Sequence, residues 1–407
     1  MIRIDAKLNE KVDFILLLAR SLQGCGAAAH HLERALSSAG KGLGLGNQYL
    51  AFPTGLVGSF SEDGDHRSIV IRFKPGVIDL SKLSKIDEAA DAVLAGQLSL
   101  AEGTSRIGEI NRQTDDYHPL LQICAYAMAS AGFVTALKGS LADFIAASVL
   151  GVIIGAFDVL GRRFSIFDQL FAGMASAFAT VSSILLSREF PSLSPDLVIL
   201  ASIVVLLPGL TLIIAFVELS TRNLIAGTAR LAGATGDLLK LVFSIAITKK
   251  LMTNSTHLTA PEITHVALPA WTEVFGVIGL AIGFIVLFRV RPKQVLSAFI
   301  VSVMAYTVAR FGSERLGTEL SFFVTGALVA LISNGLARLM RRPSLITLLP
   351  GIILIVPGSI NYRGMTSMFQ NNVMDTVQTS FSVIIIAISL VAGLFFGNAV
   401  VPPRRSL

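Results

Sequence analysis

The stretch LLPGLTLIIAFVELSTRNLIAGTARL, residues 206–231, places a Pro-Gly pair inside an apolar run that is otherwise long enough to cross a bilayer. Proline removes an amide donor and glycine weakens a helix, so the run is predicted to break at Pro208-Gly209. Such a break is stable at membrane depth only where protein or a water-filled cavity satisfies the freed backbone groups. We therefore expect this segment to lie inside a bundle or beside a cavity.

A second pair, Pro357-Gly358 in TLLPGIILIVPGSINYRG, repeats the arrangement later in the chain. Interrupted spans at corresponding places in two halves of a chain indicate the substrate site of a transporter. The candidate substrate-binding residues are the two pairs and the polar residues that follow the first of them: Pro208, Gly209, Glu218, Asn223, Arg230, Pro357 and Gly358.

Composition indicates the class of protein. Apolar residues make up 53% of the 407 residues, charged residues make up only 15%, and the mean hydropathy is +0.70. A soluble protein carries about 25% charged residues, so the chain is predicted to be a polytopic membrane protein. The net charge of +6 lies mostly in short loops between apolar runs and indicates no nucleic-acid partner. The two cysteines form neither a disulfide framework nor a metal-ligand spacing, and no cofactor is predicted.

Residues 1–115 are predicted to form a small cytoplasmic α+β domain, because they contain no apolar run long enough for a signal peptide or a span. Ser99 and Glu102 have the spacing of a capping box at the start of its last helix. No catalytic constellation is found in this domain. Its predicted elements are a helix at 11–39, strands at 49–60 and 66–73 joined by a turn at Asp63-Gly64, and helices at 80–95 and 99–113.

Ten apolar runs follow, each close to the roughly 20 residues that a transmembrane helix needs. They form a first half at 116–250 and a second half at 271–407, separated by an extracytoplasmic linker at 251–270. The predicted fold is an all-α polytopic membrane protein of about ten transmembrane helices. The spans are predicted near 119–138, 141–160, 167–187, 196–217, 223–248, 271–288, 294–311, 319–338, 343–360 and 373–397.

The two halves resemble copies of each other. Gly132 aligns with Gly283, and the distance from this glycine to the following Pro-Gly pair is nearly the same in both halves. Gly173 and Gly326 fall between these anchors. Five spans per copy turn the second copy upside down, which predicts an inverted repeat. Chance similarity between apolar sequences is the alternative.

Basic residues alternate between the loops as the positive-inside rule requires, with both termini in the cytoplasm. The predicted inward loops carry eleven basic residues: Arg162, Arg163, Arg222, Arg289, Arg291, Lys293, Arg338, Arg341, Arg342, Arg404 and Arg405. The predicted outward loops carry seven: Lys138, Arg188, Lys249, Lys250, Arg310, Arg315 and Arg363.

Ionisable residues within the spans are costly, face a bundle interior or water, and mark a pathway. Arg230 and Asp237 are seven residues apart, which places them on one helix face about 10 Å apart along the axis. Lys240 is close enough to pair with Asp237. A structural ion pair that locks this span is the alternative interpretation. Close helix packing is predicted at three glycines of the same span: Gly227, Gly233 and Gly236.

Three segments resemble the bacterial threonine/serine exporter family: ARSLQGCGAAAHHLERALSSAG, DLSKLSKIDEAADAVLAGQLSLAEGTSRIGEI and LLPGLTLIIAFVELSTRNLIAGTARLAGA. IVPGSINY resembles the second half of that family, which in some members is a separate polypeptide. The resemblance implies a cytoplasmic N-terminal domain, ten spans in the bacterial inner membrane, and efflux of threonine and serine driven by the proton-motive force. Some relatives built from two subunits resemble exporters of dicarboxylates such as succinate, which is the alternative substrate class.

A proton-coupled antiporter of small amino acids suits these residues. The substrate carboxylate needs a positive pole, which Arg230 or a half-helix N-terminus after either Pro-Gly pair would supply. Burial disfavours the charged form of a carboxylate, so the proton carrier is expected to be a buried carboxylate, with Asp237 and Glu218 as candidates. A channel would need no titratable pair, and a membrane enzyme would need a motif such as HExxH or GxSxG, which is not found. The oligomeric state stays open, with a homo-oligomer among the options.

Overall fold

The structure is a computed structural model that describes residues 6–62, 65–74, 76–162, 165–256, 267–340, 342–355 and 373–403. The described residues are mostly helical, with one three-stranded sheet near the N-terminus. The prediction of a helical membrane protein preceded by a small α+β unit is confirmed in this form.

The N-terminal unit, here called the head, places four helices around a small sheet. The strands form an antiparallel meander in the order β1-β2-β3. Phe14, Leu32, Leu56, Phe60 and Ile107 are almost fully buried in its core. The elements are α1 (Ala6–Gly24), α2 (Ala29–Gly42), β1 (Gly46–Phe52), β2 (Gly55–Glu62), β3 (Asp65–Arg72), α3 (Leu80–Leu94) and α4 (Leu100–Arg112).

Two local predictions for the head are wrong. The single helix predicted at 11–39 is two helices, because the chain turns after α1 through Gly26, whose φ is +77°. The strand predicted at 49–60 is two strands, which separate after Phe52 and pair with each other. The capping box at Ser99 and Glu102 is confirmed. The turn predicted at Asp63-Gly64 lies outside the described residues.

Eleven helices of the described residues follow the head. They are α5 (Pro119–Ala136), α6 (Leu141–Gly161), α7 (Ser165–Glu189), α8 (Pro195–Ser202), α9 (Gly209–Ser220), α10 (Leu224–Thr256), α11 (Thr272–Leu287), α12 (Val295–Leu316), α13 (Thr318–Met340), α14 (Leu345–Ile355) and α15 (Val373–Val400).

The number of spans differs from the predicted ten. Within the described ranges, seven helices are long and apolar enough to cross a membrane, and the count is eight if α8 and α9 form one bent span. The apolar helices α11 and α14 have 16 and 11 residues, which is short of the roughly 20 that a span needs. Each predicted span position therefore holds a helix, but two of these helices are too short to be counted.

The break predicted at Pro208-Gly209 is confirmed. The helix α8 ends at Ser202, a 3₁₀ turn covers Val204–Leu206, and α9 begins at Gly209 directly after Pro208. The two helical parts are bent by 52°. The second pair, Pro357-Gly358, lies outside the described residues, shortly beyond the end of α14.

Close backbone approach joins the two halves. A Cβ atom at Gly132 of α5 would collide with the Gly276 carbonyl of α11, and one at Gly283 would press on the Ala125 carbonyl. The first contact joins a late residue of α5 to an early residue of α11, and the second joins an early residue of α5 to a late one of α11, so the two helices run antiparallel. Small residues at a helix interface permit this approach in a membrane, where dispersion contacts hold helices together.

Candidate functional site

The site centres on Glu218, whose side chain on α9 is fully buried. Its carboxylate accepts two hydrogen bonds from the Arg230 guanidinium of α10, from Nε at 3.0 Å and from Nη2 at 3.1 Å. The same carboxylate accepts a third bond, at 2.9 Å, from the backbone N–H of Ala29 in the head. A bidentate arginine–carboxylate pair combines charge with fixed geometry, so this carboxylate joins three parts of the fold.

A tight reversal of the chain brings Glu218 and Arg230 together. The helix α9 ends at Ser220, Arg222 takes a φ of +63°, and α10 starts at Leu224. The two helices then pack side by side, and a Cβ atom at Gly227 would collide with Leu219 of α9. Close packing is therefore confirmed at Gly227, one turn before the arginine.

Asn223 has a role in the turn and not at the carboxylate. Its backbone N–H donates to the Glu218 carbonyl oxygen at 2.9 Å, and its side-chain amide donates to the Thr221 hydroxyl at 3.1 Å. Of the residues predicted for the substrate site, the structure thus brings Glu218 and Arg230 into contact. The Asn223 side chain instead supports the connection between their helices.

The contact with Ala29 was not predicted from the sequence. Ala29 is the first residue of α2, and the preceding Ala28 has no side chain that could accept from the free amides of the first turn. Glu218 supplies that acceptor from 189 residues away, and its negative charge suits the positive end of the helix dipole. The only sequence signal is the uncapped start, since AAAHH contains no Ser, Thr, Asp or Asn.

A cavity of about 110 Å³ lies beside this junction, between the head and the ends of α9, α14 and α15. His30 and Arg34 line it from the head, Val217 and Thr221 from α9, and Asn398 from α15. The Nδ1 atom of His30 is buried and has no hydrogen-bond partner among the described residues. Burial, and then the positive charges of Arg34 and Arg230, lower the pKa of His30 from 6.5 to about 4.

The second predicted pair on α10 differs from the prediction. Lys240 Nζ lies 2.9 Å from Asp237 Oδ1, as the spacing predicted, but the two side chains are 58% and 54% exposed. Asp237 is therefore not the buried carboxylate that was expected. Within the single chain no helix packs closely on Gly233 or Gly236, where an added Cβ atom would meet nothing within 4 Å. Burial depends on which helices cover a side chain. The helix α10 packs mainly against α9 and α7, and these two leave the face with Asp237 and Lys240 uncovered.

Ion pairs fix the head against the connection between α11 and α12. Arg289 lies 3.4 Å from Asp79 and 2.9 Å from Asp115, and Arg291 lies 2.9 Å from Glu88. In addition, the backbone N–H of Leu80 donates to the Phe288 carbonyl at 3.0 Å. The head therefore lies on the same side of the bundle as a loop that was predicted to face inward. No group of three or more metal-binding side chains occurs in the part of the chain that the structure describes.

Comparison with known proteins gives the family. A family model described as "Putative threonine/serine exporter" matches residues 13–252, and one described as "Threonine/Serine exporter, ThrE" matches residues 273–400. No solved structure matches the chain.

Three curated relatives are proteins of yeasts. An uncharacterized protein of Schizosaccharomyces pombe is 26% identical over 98% of this chain and 57% of its own length. Pheromone-regulated membrane protein 10 of Yarrowia lipolytica is 27% identical over 88% of this chain and 30% of its own length, and that of Saccharomyces cerevisiae is 24% identical over 93% and 51%. The chain thus spans between 30% and 57% of the length of these three relatives. Since the family models cover most of the sequence, the chain belongs to the threonine/serine exporter family of membrane transporters.

Proposed function

We propose that the protein is a secondary active exporter of threonine and serine that works by proton antiport, with its substrate site at Glu218 and Arg230. The observation that carries this proposal is a fully buried carboxylate near the end of a broken span, held in a bidentate ion pair with an arginine of the next helix. A zwitterionic amino acid carries the same two charges as this pair. Its carboxylate suits the planar fork of Arg230, and its ammonium group suits the carboxylate of Glu218.

Antiport requires that the proton and the substrate exclude each other, and one carboxylate can meet that requirement. A proton on Glu218 removes the negative charge that the substrate ammonium group needs. Release of the proton restores that charge, and without substrate the carboxylate returns to Arg230. We prefer Glu218 to Asp237 as the proton carrier, because Glu218 is fully buried while Asp237 is half exposed beside Lys240.

The cavity beside Ala28 and Thr221 offers substrate a place next to the pair on the head side. Glu218 also holds the head through Ala29, so separation of the pair by a substrate would loosen one head contact. The head is therefore proposed to close the cytoplasmic side of the path. We place both termini in the cytoplasm, because the head binds a basic loop between α11 and α12. A bacterial inner membrane is proposed from the family resemblance alone.

Two observations support ten spans in inverted halves, including the short helices α11 and α14. Counterpart helices begin at nearly constant spacing along the chain: α5 at Pro119 and α11 at Thr272, then α10 at Leu224 and α15 at Val373. The contacts between α5 and α11 are also reciprocal. The register that aligns Gly132 with Gly283 also aligns Ala125 with Gly276, and Gly132 meets Gly276 while Gly283 meets Ala125. Antiparallel packing of counterpart helices is what an inverted repeat produces.

Transport in proteoliposomes tests the proposal. We expect counterflow of threonine and serine, accumulation only with a proton gradient, and strong loss of both in Arg230→Lys, which keeps the charge but loses the fork. In Glu218→Gln we expect loss of proton-driven accumulation. Matched controls are Arg106→Lys and Glu109→Gln, at head side chains that are 65% and 60% exposed.

Two outcomes would contradict this assignment. Proton-driven accumulation in a well-folded Glu218→Gln variant would exclude Glu218 as the proton carrier. Counterflow of succinate without that of threonine would replace the amino-acid substrate by a dicarboxylate, which has no ammonium group to offer Glu218.

A further inference from the structure

Among the seven long apolar helices of the described residues, α10 is the least covered by the rest of the protein. In its apolar stretch only 22% is buried against the rest of the protein, compared with 28–56% for the other six helices. Its main packing partners are α9 and α7. The uncovered face includes large apolar side chains that are more than half exposed, Leu239 and Phe243, and it continues to Ile247.

This face carries both charges of the Asp237–Lys240 pair near the middle of the 29-residue span from Leu224 to Met252. Both side chains are more than half exposed, although a charged side chain facing lipid at that depth is costly. Pairing reduces this cost but leaves the remaining polar atoms of both groups without partners in a hydrocarbon environment. The pair therefore calls for a polar partner that covers it.

The surface around the pair is shaped for close approach. An added Cβ atom at Gly233 or Gly236 would meet nothing within 4 Å, and the side chain of Ala232 is exposed. Gly233 and Gly236 lie about one turn before Asp237 and Lys240, respectively. They would let the backbone of another helix come near enough for side chains at 237 and 240 to reach across.

We propose that a second copy of this chain covers this face, with Asp237 of each copy paired to Lys240 of the other. An ion pair with both signs within one turn is complementary to itself across a twofold axis, as an interface between identical subunits requires. An axis along the membrane normal makes the two α10 helices parallel. Asp237 and Lys240 then differ in height by about 4.5 Å, which their side chains can span. This inference does not depend on the proposed transport function.

Charge exchange between copies tests the pairing directly. One tagged copy carries Asp237→Lys and a differently tagged copy carries Lys240→Asp, so each copy alone presents two like charges. We expect each variant to lose self-association and the two together to regain co-purification near the level of the unaltered protein. Equal recovery of like and mixed pairs would overturn the proposal, as would recovery of neither while the unaltered copies also remain separate.

Disulfide formation in native membranes gives a second test. In a background with Cys25→Ser and Cys124→Ser, we expect oxidation to link two copies through Gly236→Cys, since parallel helices at a small-residue contact bring the two Cα atoms within disulfide range. The matched control is Ile300→Cys on α12, at a side chain that is 55% exposed in the other half. Linkage at neither site, or equal linkage at both, would overturn the interface. Ready labelling of Gly236→Cys by a membrane-impermeant thiol reagent would show instead that the face lines an aqueous path.

Discussion

Two ion pairs on the same helix have opposite surroundings. Arg230 binds Glu218 with both side chains largely or fully buried, whereas Asp237 and Lys240 pair at nearly the same distance with both more than half exposed. Arg230 and Asp237 are seven residues apart, about 10 Å along the axis. The first pair joins α9, α10 and the head, while the second joins two residues of one helix.

This difference shows that the contribution of an ion pair to stability depends on which residues cover it. Removal of one partner from a buried pair leaves an uncompensated charge, which costs about 3–5 kcal/mol, whereas an exposed pair in water contributes about 0–1 kcal/mol. The buried pair of Glu218 and Arg230, here called the inner pair, is therefore expected to control folding, head docking and transport together. The exposed pair of Asp237 and Lys240, here called the outer pair, is expected to matter chiefly for contact with whatever covers the outer face of α10.

The largest effect is expected from Glu218→Ala. This change leaves the Arg230 guanidinium without its carboxylate and the α2 amide at Ala29 without its acceptor. The free energy of unfolding should fall by about 3–5 kcal/mol, measured by thermal unfolding in detergent. Glu109→Ala in the head, at a 60% exposed side chain, is the control. An unchanged unfolding midpoint in Glu218→Ala would mean that the inner pair is not buried in the folded protein.

Two glycines on α10 provide a second comparison. Gly227 lies against Leu219 beside the inner pair, whereas Gly236 is open beside the outer pair. Gly227→Ala should destabilise the protein by about 1–3 kcal/mol through overpacking. Gly236→Ala should be neutral or stabilising in a dispersed monomer, because alanine favours a helix by about 1 kcal/mol. The unfolding midpoints of the two variants in the same detergent give the answer, and equal losses would contradict the difference in packing.

A pH effect is expected on the head side of the inner pair. The pKa of His30 is lowered from 6.5 to about 4, first by burial and then by Arg34 and Arg230, and the tilted ring of His31 lies 4.2 Å away between centroids. Between these values the unfolded chain binds a proton that the docked head does not. Stability should therefore fall as the pH decreases from about 6.5 to about 4.

The measurement is the unfolding midpoint as a function of pH. His30→Gln should reduce the slope of the profile in that window and leave the part due to His31, whose pKa is also lowered by burial, while His66→Gln, at an exposed strand position, should leave the profile unchanged. A profile of the same slope in His30→Gln and in the unaltered protein would exclude His30 as the source.

Local signals in the sequence predicted much of this molecule. The break at Pro208-Gly209, the capping box at Ser99 and the positions of the apolar helices depend on residues close in the chain, so they were predicted correctly. The split between α1 and α2 was missed, because Ala27, Ala28 and Ala29 favour a helix on their own.

The features that the sequence did not predict depend on contacts between segments that are distant in the chain. Nothing near Glu218 indicates that it accepts from Ala29, because that contact requires the head to be docked. Periodicity placed Arg230 and Asp237 on one face of a helix but did not reveal that a neighbour covers one and not the other. The spacing between Asp237 and Lys240 predicted their pairing, since i and i+3 residues meet on any helix.

The smallest effect is expected from the outer pair in a detergent-dispersed monomer. Asp237→Asn keeps the shape of the side chain and removes its charge, and the pair is more than half exposed. Because an exposed pair contributes about 0–1 kcal/mol, the unfolding midpoint should change little. In membranes the same variant should lose association between differently tagged copies, since Lys240 of the second copy then has no carboxylate to meet. A small loss of stability in detergent together with unchanged association in membranes would contradict the proposed pairing of Asp237 with Lys240 of the second copy. A large loss in detergent would instead mean that the pair supports the fold of the single chain, and the contrast between the two pairs of α10 would not hold.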